Sequence, residues 1–385
     1  MESGVTEIIE RILREAEEAN ASDIHIDAYD ATVIVRFRID GQLSIHCRLP
    51  KDIHGSVISR LKIMSRLRTD LHHLPQDGRF RKPYRGNHDT RISILPTPHG
   101  EAVVLRLLKD TPDFRNLENL GLSSANAAIL ERAVSRKRGM VLATGSTGSG
   151  KTTTLYSLLR LVEPERLVIT IEDPVEYSLP NARQIQIDPD RGLTFATGLR
   201  SILRQDPDVI MVGEIRDQET ASIAIHAALT GHLLFSTLHT SSALAVIFRL
   251  MDMGIAPYLV ASTLETIIAQ RLVRKICQQC HSRRQKKRIQ RMCDVILDDN
   301  SIDGEENENL GTGCQACNYT GHNGRVALYE IVTMNEELRE AVAARPTLAA
   351  LRTIADRAGM QTLIADGHAK AERGLIDAAE VMSSE

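Results

Sequence analysis

Gly145-Ser146-Thr147-Gly148-Ser149-Gly150-Lys151-Thr152 supplies the chemistry of a phosphate-binding loop. Glycines at 145, 148 and 150 let the backbone curl so that several N–H groups converge on one anion, and a helix opening at Lys151 adds its positive dipole end. The Lys151 ammonium suits the β and γ phosphates of a nucleoside triphosphate, the Thr152 hydroxyl suits Mg²⁺, and Thr153 completes the stretch expected to bind the nucleotide. An apolar run at 140–144 precedes the loop and a helical pattern follows it, which is the context this motif requires. A second stretch, Asp206-Pro207-Asp208-Val209-Ile210-Met211-Val212-Gly213-Glu214, is an apolar strand that ends on a carboxylate, where open α/β sheets bind ligands. Glu214 is placed to orient an attacking water or to hold the hydration shell of Mg²⁺. An isolated acid after a strand is more often a surface residue or a helix cap; the loop upstream is what favours chemistry.

Two cysteine pairs form a further constellation. Cys277-Gln278-Gln279-Cys280 and Cys314-Gln315-Ala316-Cys317 offer four thiolates, enough to close a tetrahedral structural zinc site. The spacing between the pairs exceeds the usual of about 15–20 residues, so a loop or short helix is expected between two knuckles. A redox CxxC and plain buried cysteines are the competing readings. Beside the first pair, Arg283, Arg284, Lys286, Lys287, Arg288 and Arg291 make a basic run, either a solvated face or a contact for anionic headgroups or an acidic loop.

The elements that must position these groups follow from length and pattern. A chain of 385 residues exceeds one ordinary core, so two or three domains are expected. A net charge of -3 argues against a nucleic-acid binder whose whole surface tracks phosphate. No apolar run reaches the roughly 18 residues of a membrane span, and the acidic amphipathic start lacks a signal-peptide core, so a cytoplasmic location is expected. Residues 1–112 read as a small α+β domain: a helix to about Asn20, a strand at 22–27, a hairpin strand at 33–39 turning at Asp40-Gly41, and strands at 91–95 and 102–108. Residues 113–119 read as a linker. From 120 to 385 the pattern is a RecA-like α/β core, with apolar strands at 140–144, 167–171, 209–212 and 233–238. The cysteine stretch, 274–325, reads as an insertion, after which a strand resumes at 327–332.

Between the loop and the second strand lies Thr170-Ile171-Glu172-Asp173-Pro174-Val175-Glu176-Tyr177, and after them Gly231-His232-Leu233-Leu234-Phe235-Ser236-Thr237-Leu238-His239-Thr240. These resemble the Asp box and His box of the secretion ATPase superfamily, which powers type II secretion and type IV pilus machines. Ser22-Asp23-Ile24-His25-Ile26, Leu74-Pro75-Gln76-Asp77-Gly78-Arg79 and residues 91–106 extend the resemblance through the first domain. It implies an α/β fold with a RecA-like P-loop ATPase core, a preceding α+β (PAS-like) domain and an inserted tetracysteine zinc module. It implies Glu176 as the general base or water-positioning acid and Glu214 as the Walker B acid, with Glu172 and Asp173 as weaker candidates. His239, in the box that also contains His232, would sense the nucleotide-metal site; a satisfied polar residue at a strand end is the alternative.

Arg91 and Arg106 match positions from which such ATPases aim guanidinium groups at the phosphates, with no carboxylate run nearby sufficient to pair them all. The other reading is strand-face charges paired with carboxylates such as Glu101. Arg200 and Arg204, one helical turn apart, are expected to brace an interface or bind Asp or Glu. The implied cofactors are ATP, Mg²⁺ and Zn²⁺. The implied assembly is a homohexamer, peripheral on the cytoplasmic face of the inner membrane, acting on a platform protein that assembles pilin-like subunits, with no stable nucleic-acid partner. A DNA-uptake or conjugation ATPase and a non-hydrolysing scaffold are the alternatives. Family members commonly carry a further N-terminal domain, which this chain is expected to lack.

Overall fold

The structure is a computed structural model that describes residues 2–81, 89–107, 117–279, 313–317 and 319–382. The chain divides into two compact units, Met1–Pro112 and Asp113–Glu385.

In the first unit, alternating apolar residues build one antiparallel sheet. Its strands are β1 (Asp23–Ala28), β2 (Thr32–Ile39), β3 (Gln42–Pro50), β4 (Gln76–Arg81), β5 (Asp89–Thr97) and β6 (Gly100–Leu107), in the order β3-β2-β1-β6-β5-β4. Asp40 and Gly41 both have left-handed φ, 48° and 88°, which gives β2 and β3 the tight turn that suits strand twist. Ile24, Ile26, Val35, Phe37, Val103 and Leu105 point to one face, where they bury against Ile9, Ile12 and Ala16 of α1 (Glu2–Glu18) and Val57, Ile58 and Leu61 of α2 (His54–Met64). The period of two sends the intervening positions to the other face. There Arg91 stands opposite Arg106, and Asp23 stands opposite both Arg106 and Arg38.

The second unit is built around a sheet whose central strands are predominantly apolar and buried. β7 (Gly139–Thr144), β8 (Val168–Glu172), β9 (Ala182–Gln186), β10 (Val209–Val212), β11 (Leu233–Leu238), β12 (Leu264–Ile276) and β13 (His322–Thr333) form a sheet in the order β13-β12-β7-β11-β10-β8-β9. All neighbours are parallel except β12 and β13. Alternate residues feed two cores. Met140, Leu142, Ile169, Ile171, Ile210 and Leu234 meet α5 (Phe195–Ile202), α6 (Gln218–Leu229), α7 (Ala245–Asp252) and α8 (Pro257–Thr263). Val141, Ala143, Val168, Met211 and Phe235 meet α3 (Ser124–Val134) and α4 (Lys151–Arg160). Burial on both faces is what demands apolar strands throughout. Among the described residues, the helices Glu336–Ala343, Leu348–Arg357, Leu363–Glu372 and Ala378–Met382 follow β13.

Two expected boundaries need correction. The last part of the expected 113–119 linker is structured: Leu117–Leu120 is a 3-10 turn, and Leu117 is buried in the same core as Leu130 and Tyr156. The expected insertion at 274–325 is too wide, because β12 and β13 pair as far as Ile276 opposite His322. Backbone pairing outweighs the polar character of Arg274, Lys275 and Arg325. Cys280 and the basic run at 283–291 lie outside the described residues. Among the described residues no helix is long and apolar enough to cross a membrane.

Candidate nucleotide site and cysteine cluster

The loop between β7 and α4 depends on its glycines. Gly145, Gly148 and Gly150 have left-handed φ of 143°, 77° and 88°. A Cβ on Gly145 would lie 2.3 Å from the Gln270 carbonyl oxygen of β12, so no side chain fits there. Ser146, Thr147 and Gly148 are exposed, and Thr152 and Thr153 are half-buried in the first turn of α4. Lys151 is buried and donates to the carbonyls of Gly145 at 2.8 Å and Ser146 at 2.9 Å. Burial lowers the Lys151 pKa from its ordinary value, and the Glu214 charge acts against that shift. The Ser149 hydroxyl is also buried and has no hydrogen-bond partner among the described residues. A buried ammonium, an orphaned hydroxyl and three left-handed glycines at a helix start fit a polyphosphate. In the first turn of α4, Thr154 donates to the Gln270 side chain at 2.7 Å, which ties the P-loop helix to β12.

Three strand ends bring the carboxylates and a histidine together. β10 ends at Val212, and Gly213 is held by its N–H to the Ile171 carbonyl at 2.8 Å and by the Thr237 hydroxyl on its own carbonyl at 2.7 Å. Glu214 follows. Its Oε1 accepts from Arg216 Nη2 at 2.6 Å, and its Oε2 lies 3.5 Å from His239 Nε2. Arg216 also lies 3.7 Å from Asp173 Oδ2. Burial alone would raise the Glu214 pKa, but Arg216 and His239 outweigh it and hold the carboxyl below its usual value. The bond to Glu214 in turn raises the Arg216 pKa. Asp173, Glu214 and His239 were expected here; Arg216 was not, although its place two residues after a strand-terminal acid was a usable signal.

Other expected residues fall elsewhere. His232 precedes β11 and bonds the Ala227 carbonyl at 2.9 Å. It does not share the site of His239, because six extended residues separate them by roughly 20 Å along the strand. Glu172 is buried, and its oxygens accept from Tyr156, Thr170 and Gln184. Glu176 is half-buried in the segment that leaves β8. Arg106 does have a carboxylate partner, contrary to the expectation that too few lie nearby: its Nε donates to the buried Asp23 at 2.9 Å. Glu101, the partner considered for it, pairs instead with Lys62 and His72. Arg91 is half-buried beside it. Arg200 pairs with Glu219 at 2.6 Å, and Arg204 donates to the Ser201 hydroxyl.

Cys277, Cys314 and Cys317 lie together at the ends of β12 and β13, all buried. Cys314 Sγ is 3.8 Å from each of the other two sulfurs. Tetrahedral zinc with Zn–S bonds of about 2.3 Å has ligand–ligand edges of about 3.8 Å. Backbone N–H groups of Cys314 and Gly321 point at the Cys317 sulfur at 3.1 and 3.3 Å, as donors to a thiolate would. The three sulfurs therefore fit a metal of this kind.

The model of the Type II/IV secretion system protein family matches residues 2–383. The chain belongs to this family. It is 43% identical over 386 residues to the type IV pilus assembly ATPase PilB of Thermus thermophilus, spanning 99% of this chain and 43% of that protein. It is 40% identical over 384 residues to the type II secretion system ATPase E of Vibrio cholerae, spanning 98% of this chain and 75% of that one. The structure of the pilus retraction motor PilT with bound ADP superposes with a TM-score of 0.65 at 29% identity, covering 97% of this chain and 96% of that one. In this type II/IV secretion system protein the P-loop and the ends of β8, β10 and β11 thus bring together one lysine, two carboxylates, an arginine and a histidine.

Proposed function

We propose that this chain is the ATP-hydrolysing motor of a type II secretion or type IV pilus-type system. The observation that carries the reading is the Glu214 carboxylate, held ionised by Arg216 and His239 within electrostatic reach of the P-loop lysine. Mg²⁺, when bound with ATP, supplies positive charge to the phosphates, and Thr152 would hold it. The loop amides and Lys151 bind and orient the triphosphate. Glu214 is the Walker B acid, Glu176 orients or deprotonates the attacking water, and His239 senses the state of the site through its contact with Glu214, while Asp173 adjoins it through Arg216. Binding and release then drive domain motions that assemble pilin-like subunits through an inner-membrane platform protein. The motor is a homohexamer, peripheral on the inner membrane, with no stable nucleic-acid partner. Its first unit is PAS-like, a reading supported by helices covering one face of an antiparallel sheet.

Arg91 and Arg106 add cationic charge as the phosphoryl group transfers in the assembled ring. Arg106→Ala is expected to lower turnover at least about ten-fold with ATP affinity and folding retained, within the wide range that arginine fingers show. Mixing this variant with Glu214→Gln subunits should recover part of the activity. Normal turnover by Arg106→Ala in an assembled ring would make these arginines ordinary strand-face charges.

Cys277, Cys314 and Cys317, with Cys280 as the fourth ligand, are proposed to hold a structural Zn²⁺; their sulfur spacing supports it. Purified protein should carry about one zinc per chain, and chelation should expose the thiols to alkylation. Metal-free protein whose Cys277 and Cys314 react freely in the native state would refute the assignment.

A further inference from the structure

Tyr156 lies on the P-loop helix one turn beyond Thr152 and is fully buried. Its ring packs edge-on against Tyr177, with centroids 5.9 Å apart. The hydroxyl donates to Glu172 Oε2 at the end of β8. Glu172 Oε1 accepts from the Thr170 hydroxyl at 2.5 Å and from Gln184 Nε2 at 3.1 Å. Gln184, on β9, also donates to the Tyr177 carbonyl at 2.9 Å, and its Oε1 accepts the Leu179 N–H at 2.7 Å. Tyr177, the residue after Glu176, is thus held twice, by its ring against Tyr156 and by its carbonyl on Gln184. One network therefore joins the P-loop helix, the end of β8 and the segment that carries Glu176.

A buried carboxylate is costly unless its oxygens are fully engaged. Glu172 meets that condition with three side-chain donors from three elements, which leaves it poorly placed to take a proton from water. Burial, followed by the Glu172 charge and hydrogen bond, pushes the Tyr156 pKa far above its usual value, so the hydroxyl stays a donor. A buried network that is completely satisfied fixes geometry. Here it fixes the segment that carries Glu176 to the helix that begins at Lys151.

We propose that Tyr156, Glu172 and Gln184 are positioning residues that set where the Glu176 carboxylate stands relative to the P-loop. The proposal rests on the reading of Glu176 as the acid that orients the attacking water. Glu172, which the sequence marks as a weaker catalytic candidate, then acts through Glu176. A shift of the P-loop helix is passed to the segment that carries Glu176 through Tyr156, whose hydroxyl bonds Glu172 and whose ring packs on Tyr177.

The test uses steady-state turnover and fluorescent-nucleotide binding on the full chain. Tyr156→Phe removes only the hydroxyl. It should lower kcat at least about ten-fold while KM and nucleotide affinity stay within about two-fold, as expected of a misplaced catalytic group. Gln184→Met releases the same segment from β9, should show the same split, and carries the test if Tyr156→Phe does not fold. A double-mutant cycle separates positioning from general loosening. Tyr156→Phe combined with Glu176→Gln should be no slower than Glu176→Gln alone, because the group being positioned is already gone. Wild-type kcat in Tyr156→Phe and Gln184→Met, or a double variant slower by the full product of the single losses, would overturn the proposal. Wild-type turnover by Glu176→Gln alone would remove the reading of Glu176 and this proposal with it.

Discussion

Replacing Glu214 with glutamine is expected to leave MgATP binding within about three-fold of wild type and to lower turnover at least about a hundred-fold, the scale of a lost general acid–base or water-positioning group. The substitution keeps the shape of the side chain and removes its charge. Arg216 then keeps at most a neutral amide oxygen where it had a carboxylate at 2.6 Å, and its charge is left to the longer approach to Asp173. Lys151 loses a charge that favours its protonated form, but its bonds to the Gly145 and Ser146 carbonyls are untouched. Binding and chemistry should therefore separate. The wild-type group carries its own pH signature: because its folded pKa is lowered, loss of activity from Glu214 protonation belongs below the ordinary carboxylate value of about 4.3. Rapid-quench single turnovers against a binding isotherm would check both points.

Lys151→Ala should weaken nucleotide binding by about a hundred-fold to ten-thousand-fold. Two charge-assisted hydrogen bonds to phosphate contribute about 1.5–3 kcal/mol each, and every 1.4 kcal/mol is ten-fold in Kd. The loop itself is also affected, because the ammonium bonds two loop carbonyls. A thermal melt must accompany the isotherm, so that lost binding is not confused with a lost fold. Equal affinity in the variant would remove the P-loop from the account.

The parts of this molecule that could be read from sequence are those whose signal is local. β7, β8, β10 and β11 are apolar throughout because both faces are buried, and their expected ranges match the structure to within about a residue. The P-loop was legible because glycine, lysine and threonine at fixed offsets carry the chemistry themselves. β12 was not. It follows α8 without a turn signal and contains Ala269, Gln270, Arg271, Leu272 and Lys275, all good helix formers; pairing with β7 and β13 decides its conformation. Long-range partners were equally hidden. Nothing near Arg106 in the chain announces Asp23, which lies 83 residues away and meets it only because β1 pairs with β6. Tyr156 reads as an ordinary core aromatic on a helix, and only the approach of β8 and β9 gives its hydroxyl the Glu172 and Gln184 side chains. His232 and His239 look equivalent in one motif, yet an extended strand sends them to opposite ends of the sheet.

The central claim is that ATP is bound by the P-loop and hydrolysed through Glu214 in the same site. Nucleotide occupancy and phosphate release measured together on purified wild type, Lys151→Ala and Glu214→Gln test it most directly. The account predicts that wild type binds MgATP and releases phosphate, that Glu214→Gln binds without release, and that Lys151→Ala does neither. Phosphate release by Glu214→Gln at the wild-type rate, with occupancy unchanged, would contradict it.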